Sequence, residues 1–104
     1  MENWKELQKQ VYQNKLDHGF NVTDISLEFC LLYGEVGEAH AAWRDKKPDL
    51  GGELADVAIF LLGLCEILGY DLEDEVVRKM AVNRRRKYET VDGVVRKVED
   101  GNGN

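Results

Sequence analysis

Apolar residues recur along this chain at intervals of three and four, and β-branched alternation nowhere runs beyond a few positions, so the pattern predicts helices and no sheet. Trp4, Leu7, Val11 and Tyr12 mark a first helix from about Asn3 to Asp17, closed by His18 and Gly19. A linker through Asn21 leads to a second helix that begins near Thr23 or Asp24, either of which can accept a hydrogen bond from the free amides of the first turn. It continues to about Arg44. Asp45-Lys46-Lys47-Pro48-Asp49, with the single proline, forms the turn into a third helix from about Leu50 to Leu68, ended by Gly69. A fourth starts at Asp71, with Asp74 in a capping-box-like arrangement, and ends near Tyr88. Its acids sit at the start and Arg84 to Lys87 at the finish, as the helix dipole favours. From Glu89 the chain turns polar and Gly-rich. The expected organisation is a helical domain over residues 1–88 and a polar tail over 89–104, with Asp100 to Asn104 frayed. Short connections make neighbouring helices antiparallel, so the expected fold class is all-α, a four-helix bundle.

Composition narrows what such a bundle does. The 104 residues carry 14 Lys plus Arg against 20 Asp plus Glu, a net charge of −6, which argues against a protein that wraps phosphate backbones, so no stable nucleic-acid complex is expected. The longest apolar run, Val57 to Leu68, is broken by Gly63 and Glu66 and is shorter than the ~20 residues that span a bilayer, so membrane insertion is not expected. No basic start and apolar stretch opens the chain, which makes the cytosol the expected compartment. Cys30 and Cys65 sit in apolar segments without a second Cys or His at ligand spacing and read as buried, reduced thiols. With Ser26 the only serine, and His18 and His40 without evident partners, little material is left for hydrolysis by a Ser-His-Asp set. The chemistry left is that of carboxylates, cations or a metal.

Carboxylates stand where apolar residues belong. At about 100° per residue, Glu35 and Glu38 share a sector with Leu27, Leu31 and Ala42, and Glu53 and Asp56 share one with Val57, Phe60, Leu64 and Ile67. Any one of these acids alone would read as solvated surface. Four on core-facing stripes must be protonated, paired with cations or bound to a metal. Each pair is spaced by three and projects from one side of its helix. Glu38 lies about 9 Å before the turn and Asp56 about 9 Å after it, at ~1.5 Å per residue, so the pairs come level across the hairpin. Hard oxygen donors suit Mg²⁺ or Mn²⁺, and the lack of His or Cys there argues against zinc. Gly34 and Gly37 weaken the helix and read as room for close approach of a helix or ligand beside the acids, although close packing alone explains them equally well. The fourth helix continues its stripe of Leu72, Val76 and Met80 with Lys79, Asn83 and Lys87, with Arg86 at the margin. For Lys79 and Asn83 an anion-facing edge and a solvated turn are equally good readings. For Arg84 and Arg85 the solvated turn is the better one.

Glu35-Val36-Gly37-Glu38 followed by Glu53-Leu54-Ala55-Asp56 resembles the E-x-x-E and E-x-x-D halves of the MazG-type all-α nucleoside triphosphate pyrophosphohydrolases. Lys79, Asn83 and Arg86 look like the K-x-x-x-N-x-x-R stretch that follows in many members, so the resemblance runs over about residues 20–88. It implies that Glu35, Glu38, Glu53 and Asp56 bind Mg²⁺ and that Lys79, Asn83 and Arg86 contact a triphosphate. Many members have a further Glu directly before the first motif acid. Here that position is Gly34, which leaves the number of ions and the group that activates water open.

The expected activity is hydrolysis of a nucleoside or deoxynucleoside triphosphate to monophosphate and pyrophosphate, a nucleotide-pool housekeeping role, with Glu35 or Glu38 accepting the proton of water. The resemblance also implies a dimer or tetramer with a base pocket built partly by the first helix, where Trp4, Asn14 and His18 stand, each equally readable as packing or surface. Length points the same way. A chain this short buries only about 60 to 65% of its unfolded surface, and the second helix carries Phe29, Leu32, Val36 and Trp43 on a second apolar face. The alternatives are the related phosphoribosyl-ATP pyrophosphohydrolase and a noncatalytic helical module that holds a structural ion or a basic ligand.

Overall fold

Asn3, Asp24 and Asp49 start the first three helices by the same device. In the computed structural model, which describes residues 3–98, each side chain accepts a backbone N–H from three residues on: Glu6, Leu27 and Gly52 respectively. Each capping bond satisfies one of the amides that a helix start leaves free. The helices they open are α1 (Trp4–Asp17), α2 (Ile25–Arg44) and α3 (Leu50–Leu68). Each also stops on a left-handed residue: Gly19 at φ 68°, Lys46 at 55° and Gly69 at 83°. In the last case Tyr70 N–H returns to Cys65 O at 2.9 Å, tying off a carbonyl of the final turn. These boundaries agree with the pattern of apolar positions to within a residue or two.

The described residues fall into two units, one up to Leu72 and one from Glu73. In the first, α3 packs against both α1 and α2. Its centre is polar as well as apolar. Ala39, Ala42, Leu62 and Leu64 are the buried apolar residues, and beside them Gln8, Lys15 and Glu28 are equally buried. Lys15 Nζ of α1 donates to Glu28 Oε1 of α2 at 2.5 Å, and Glu28 is 1% exposed. Asn21 Nδ2 donates to the other oxygen at 3.0 Å, and the Lys15 ammonium stands 5.5 Å from the centre of the Phe60 ring of α3. Gln8 performs the same service at the far end of α1. Its Nε2 donates to Glu66 Oε1 at 2.9 Å and to Tyr70 O at 2.6 Å, while its Oε1 accepts Leu72 N–H at 3.0 Å.

The second unit holds most of α4 (Leu72–Arg85) and a hairpin of β1 (Lys87–Val91) and β2 (Val94–Val98). The hairpin replaces the beginning of the expected polar tail, and α4 ends at Arg85 rather than Tyr88, so Lys87 belongs to a strand and does not continue the helical stripe. Asp92 (φ 52°) and Gly93 (φ 79°) form the two-residue turn, with Val91 opposite Val94. Both central residues sit at positive φ, which matches the twist of the flanking strands. Glu89 faces Arg96 across the ladder. The expectation of a frayed Asp100 to Asn104 lies outside the described residues. Neither cysteine is in a disulfide among the described residues, and the expected burial is corrected: Cys30 is exposed, because the apolar face of α2 that carries it is uncovered in a single chain, and Cys65 is half-buried.

Breaking the Lys15–Glu28 pair leaves one buried charge uncompensated. Glu28→Ala and Lys15→Ala should each cost about 3 kcal/mol or more in urea unfolding, whereas the joint replacement Lys15→Met with Glu28→Leu should cost far less than the two single changes together.

Candidate metal centre

Leu50 begins α3 only a few residues after Arg44 ends α2, so the two helices fold back on each other and the acid pairs come level near the turn. Glu35, Glu38 and Glu53 each offer a carboxylate oxygen, and these oxygens lie within 4.8 Å of one another. Asp56 stands outside that mutual set, yet close enough for its charge to act on Glu35. The structure therefore brings three of the four expected ligands together and leaves the fourth at the margin. Glu35 and Glu53 are half-buried, whereas Glu38 and Asp56 are exposed in a single chain rather than turned into a closed core.

Glu35 is the most perturbed of the set. Burial pushes its carboxyl above the ordinary value of 4.5, and the charge of Glu38, a hydrogen bond to Glu38 and the charges of Asp56 and Glu53 push it the same way. Its Oε2 is buried with no hydrogen-bond partner among the described residues. A cluster of hard oxygens with one orphaned acceptor fits a divalent cation, which would supply what that oxygen lacks. Among the described residues, and apart from the backbone of α2 itself, no atom lies within 4 Å of where a Cβ would stand at Gly34 or Gly37. The expected close approach of a helix is not met among these residues, and the room expected for a ligand is present.

A cleft of about 530 Å³ adjoins the cluster. It is lined by Glu38 and Glu53 and by the turn residues Asp45, Lys47, Pro48 and Asp49. The place of Lys47 on this cleft was not legible from motif spacing. A second groove of about 500 Å³, mostly apolar, lies between α1 and α3 and includes Asn14, Lys15, Phe20, Ile59 and Phe60. Of the first-helix residues expected near a base, Asn14 lines this groove. Trp4 does not, and His18 stacks on Phe20 with ring centres 5.3 Å apart. In the second unit Lys79 and Asn83 are exposed on α4, and Arg86 Nη1 donates to Asn83 Oδ1 at 3.0 Å. Arg86 Nε is buried without a partner among the described residues.

Four helices with a carboxylate cluster between the second and third define an all-α protein with a hard-oxygen centre. No family model matches the chain. A dATP/dGTP diphosphohydrolase of Cyanophage S-2L is 37% identical over 68 residues, 64% of this chain and 62% of that protein. Another, from Salmonella phage PMBT28, is 45% identical over 51 residues, 48% of this chain and 18% of that protein. The chain thus spans less than two thirds of the length of these curated relatives. Among solved structures, the Cyanophage S-2L MazG-like pyrophosphohydrolase bound to dGDP and three catalytic Mn²⁺ ions per active site matches with a TM-score of 0.75 and 28% identity. That match covers 95% of this chain and 100% of the other. The chain is thus similar in sequence to these diphosphohydrolases and in fold to a MazG-like pyrophosphohydrolase. No helix among the described residues is long and apolar enough to cross a membrane.

The raised Glu35 carboxyl carries a pH signature. The folded chain holds this proton to higher pH than the unfolded chain, so its contribution favours folding below pH 4.5 and is lost as pH rises through the interval up to the raised value. In chelator, Glu35→Gln should therefore gain melting temperature relative to the parent as pH goes from 4 to 8, by about a few degrees at most. A constant difference across that range would contradict the burial and repulsion described.

Proposed function

We propose that this chain hydrolyses purine deoxynucleoside triphosphates to the monophosphate and pyrophosphate. The observation that carries the reading is the gathering of Glu35, Glu38 and Glu53 oxygens within 4.8 Å. It is supported by relatives that are dATP/dGTP diphosphohydrolases and by a structural neighbour that binds dGDP and Mn²⁺. Glu35, Glu38 and Glu53, with Asp56 at the margin, would hold Mg²⁺ or Mn²⁺. A cation held there would neutralise phosphate charge and help orient the attacked phosphorus.

The chain's own groups do the rest. Glu35 accepts a proton from the attacking water, with Glu38 as the alternative acceptor. The water oxygen bonds to the α phosphorus, the bond from that phosphorus to the bridging oxygen breaks, and pyrophosphate leaves with the bridging oxygen. Lys79, Asn83 and Arg86 contact the triphosphate. The Asn83–Arg86 hydrogen bond sets the guanidinium, whose free Nε remains as a donor. Substrates of this kind place the enzyme in nucleotide-pool housekeeping in the cytosol.

A screen of ordinary deoxynucleoside triphosphates and phosphoribosyl-ATP with Mg²⁺ or Mn²⁺ tests the reading, with dATP and dGTP expected to give monophosphate and pyrophosphate. Release of orthophosphate, or of nothing, would overturn it, and preference for phosphoribosyl-ATP would favour the related enzyme. Glu38→Gln and Glu53→Gln should each lower turnover at least 100-fold and weaken Mn²⁺ binding while far-ultraviolet circular dichroism stays unchanged.

The same reading takes the working form to be a homodimer or homotetramer. Its support is the small apolar core of Ala39, Ala42, Leu62 and Leu64, set against exposed Phe29, Tyr33, Val36 and Trp43 along α2. Light scattering coupled to size exclusion should give a multiple of 11.9 kDa at micromolar concentration. A mass of one chain would exclude this.

A further inference from the structure

Lys47 is held in place although its side chain is exposed. Its backbone N–H donates to Ala42 O at 2.8 Å, closing the left-handed stop of α2 at Lys46. Pro48 follows and restricts Lys47 to extended backbone. The base of the side chain is thus fixed on the wall of the cleft that Glu38 and Glu53 also line. Among the described lining residues of that cleft Lys47 is the one cation. Of the other charged groups there, Asp49 is committed to capping Gly52 and Asp45 to Arg44, at 3.1 and 3.2 Å. Among the described residues the Lys47 ammonium makes no hydrogen bond or ion pair.

We propose that Lys47 binds the phosphates beyond the scissile bond, the half of the substrate that leaves as pyrophosphate. This rests on the hydrolytic reading above. A cation on an otherwise acidic wall has no role toward cations held by Glu38 and Glu53, since it repels them. Its complement is an anion brought in beside them, and the terminal phosphates carry the densest charge of a nucleoside triphosphate. The flexible stem lets the ammonium follow that group as the bond breaks, while the fixed backbone limits its reach to this side of the cleft. Lys46 supplies the internal comparison. It is one residue away and equally charged, yet it borders the neighbouring depression with Trp43, Arg44 and Leu50 and not the cleft that holds the acids, whereas Lys47 borders both.

The test measures pyrophosphate binding by calorimetry in Mn²⁺, together with KM and kcat for dATP and dGTP, on full-length Lys47→Ala, Lys47→Arg and Lys46→Gly. Glycine at position 46 removes the charge and suits the positive φ. Lys47→Ala should weaken pyrophosphate binding and raise KM about tenfold, Lys47→Arg should recover most of both, and Lys46→Gly should change neither by more than about twofold. Binding of Mn²⁺ to the substrate-free protein should not weaken in any variant. Equal losses in Lys47→Ala and Lys46→Gly would show diffuse attraction and overturn the assignment, as would an unchanged Lys47→Ala. If the parent binds pyrophosphate in a Lys47-dependent way but releases none from any nucleotide, the hydrolytic reading fails and the phosphate site stands.

Discussion

Carboxylates that repel one another cannot hold two helices together, so the placement of α2 against α3 depends on contacts made elsewhere. The Lys15–Glu28 pair is the chief of these. Glu28 lies seven residues before Glu35, two turns away on the same face of α2, and the ammonium that neutralises it reaches in from α1 across the Phe60 ring of α3. One buried pair therefore ties all three helices of the first unit at a level just beyond the acid cluster. Gly63 permits it: an added Cβ there would stand 3.3 Å from both Lys15 Cδ and Val11 Cγ1, so α1 and α3 meet where a larger residue would press on the lysine stem. Repulsion at the site and attraction behind it are two ends of one arrangement.

The helices were legible because their limits are written locally. Asn3, Asp24 and Asp49 each act on an amide three residues away, and Gly19 and Gly69 act on the last turn, so no distant contact has to be known. The acid pairs were legible for a related reason, since spacing by three on facing helices follows from the pitch alone. The hairpin was missed although Asp92-Gly93 is a strong turn signal, because Val91, Val94 and Val95 were too few to stand out as strands beside the Gly-rich end. Lys15, Glu28 and Gln8 could not be found at all from the pattern. Each looks like ordinary helix surface until the partner helix is in place, and their burial is a tertiary property.

The two glycines beside the acids illustrate a different limit. Sequence alone suggests that a glycine within a helix makes room for something, and Gly34 and Gly37 do have room beside them, but no described residue outside α2 occupies it. The residue type reported the space correctly and was silent on its occupant. Lys47 is the reverse case. Nothing in its residue type or spacing distinguished it from Lys46, and only the folded turn shows that both border one depression while Lys47 alone of the two also lines the cleft beside the acids.

The short turn between α2 and α3 also bears on which length changes this chain can tolerate. With Lys46 fixed at one end and Asp49 capping Gly52 at the other, the connection has no slack. A Cβ at Gly52 would collide with the Asp49 carboxylate, so even the capping geometry is closed to larger residues. One residue inserted between Glu38 and Arg44 would turn the acids by about 100° and shift them about 1.5 Å relative to those of α3. Insertions and deletions within the helical stretches from Glu35 to Arg44 and from Leu50 to Asp56 are thus a frame-like hazard for the site, whereas a point substitution there changes one group at a time. Relatives that keep this centre should differ by substitution within those stretches and place their changes of length outside them.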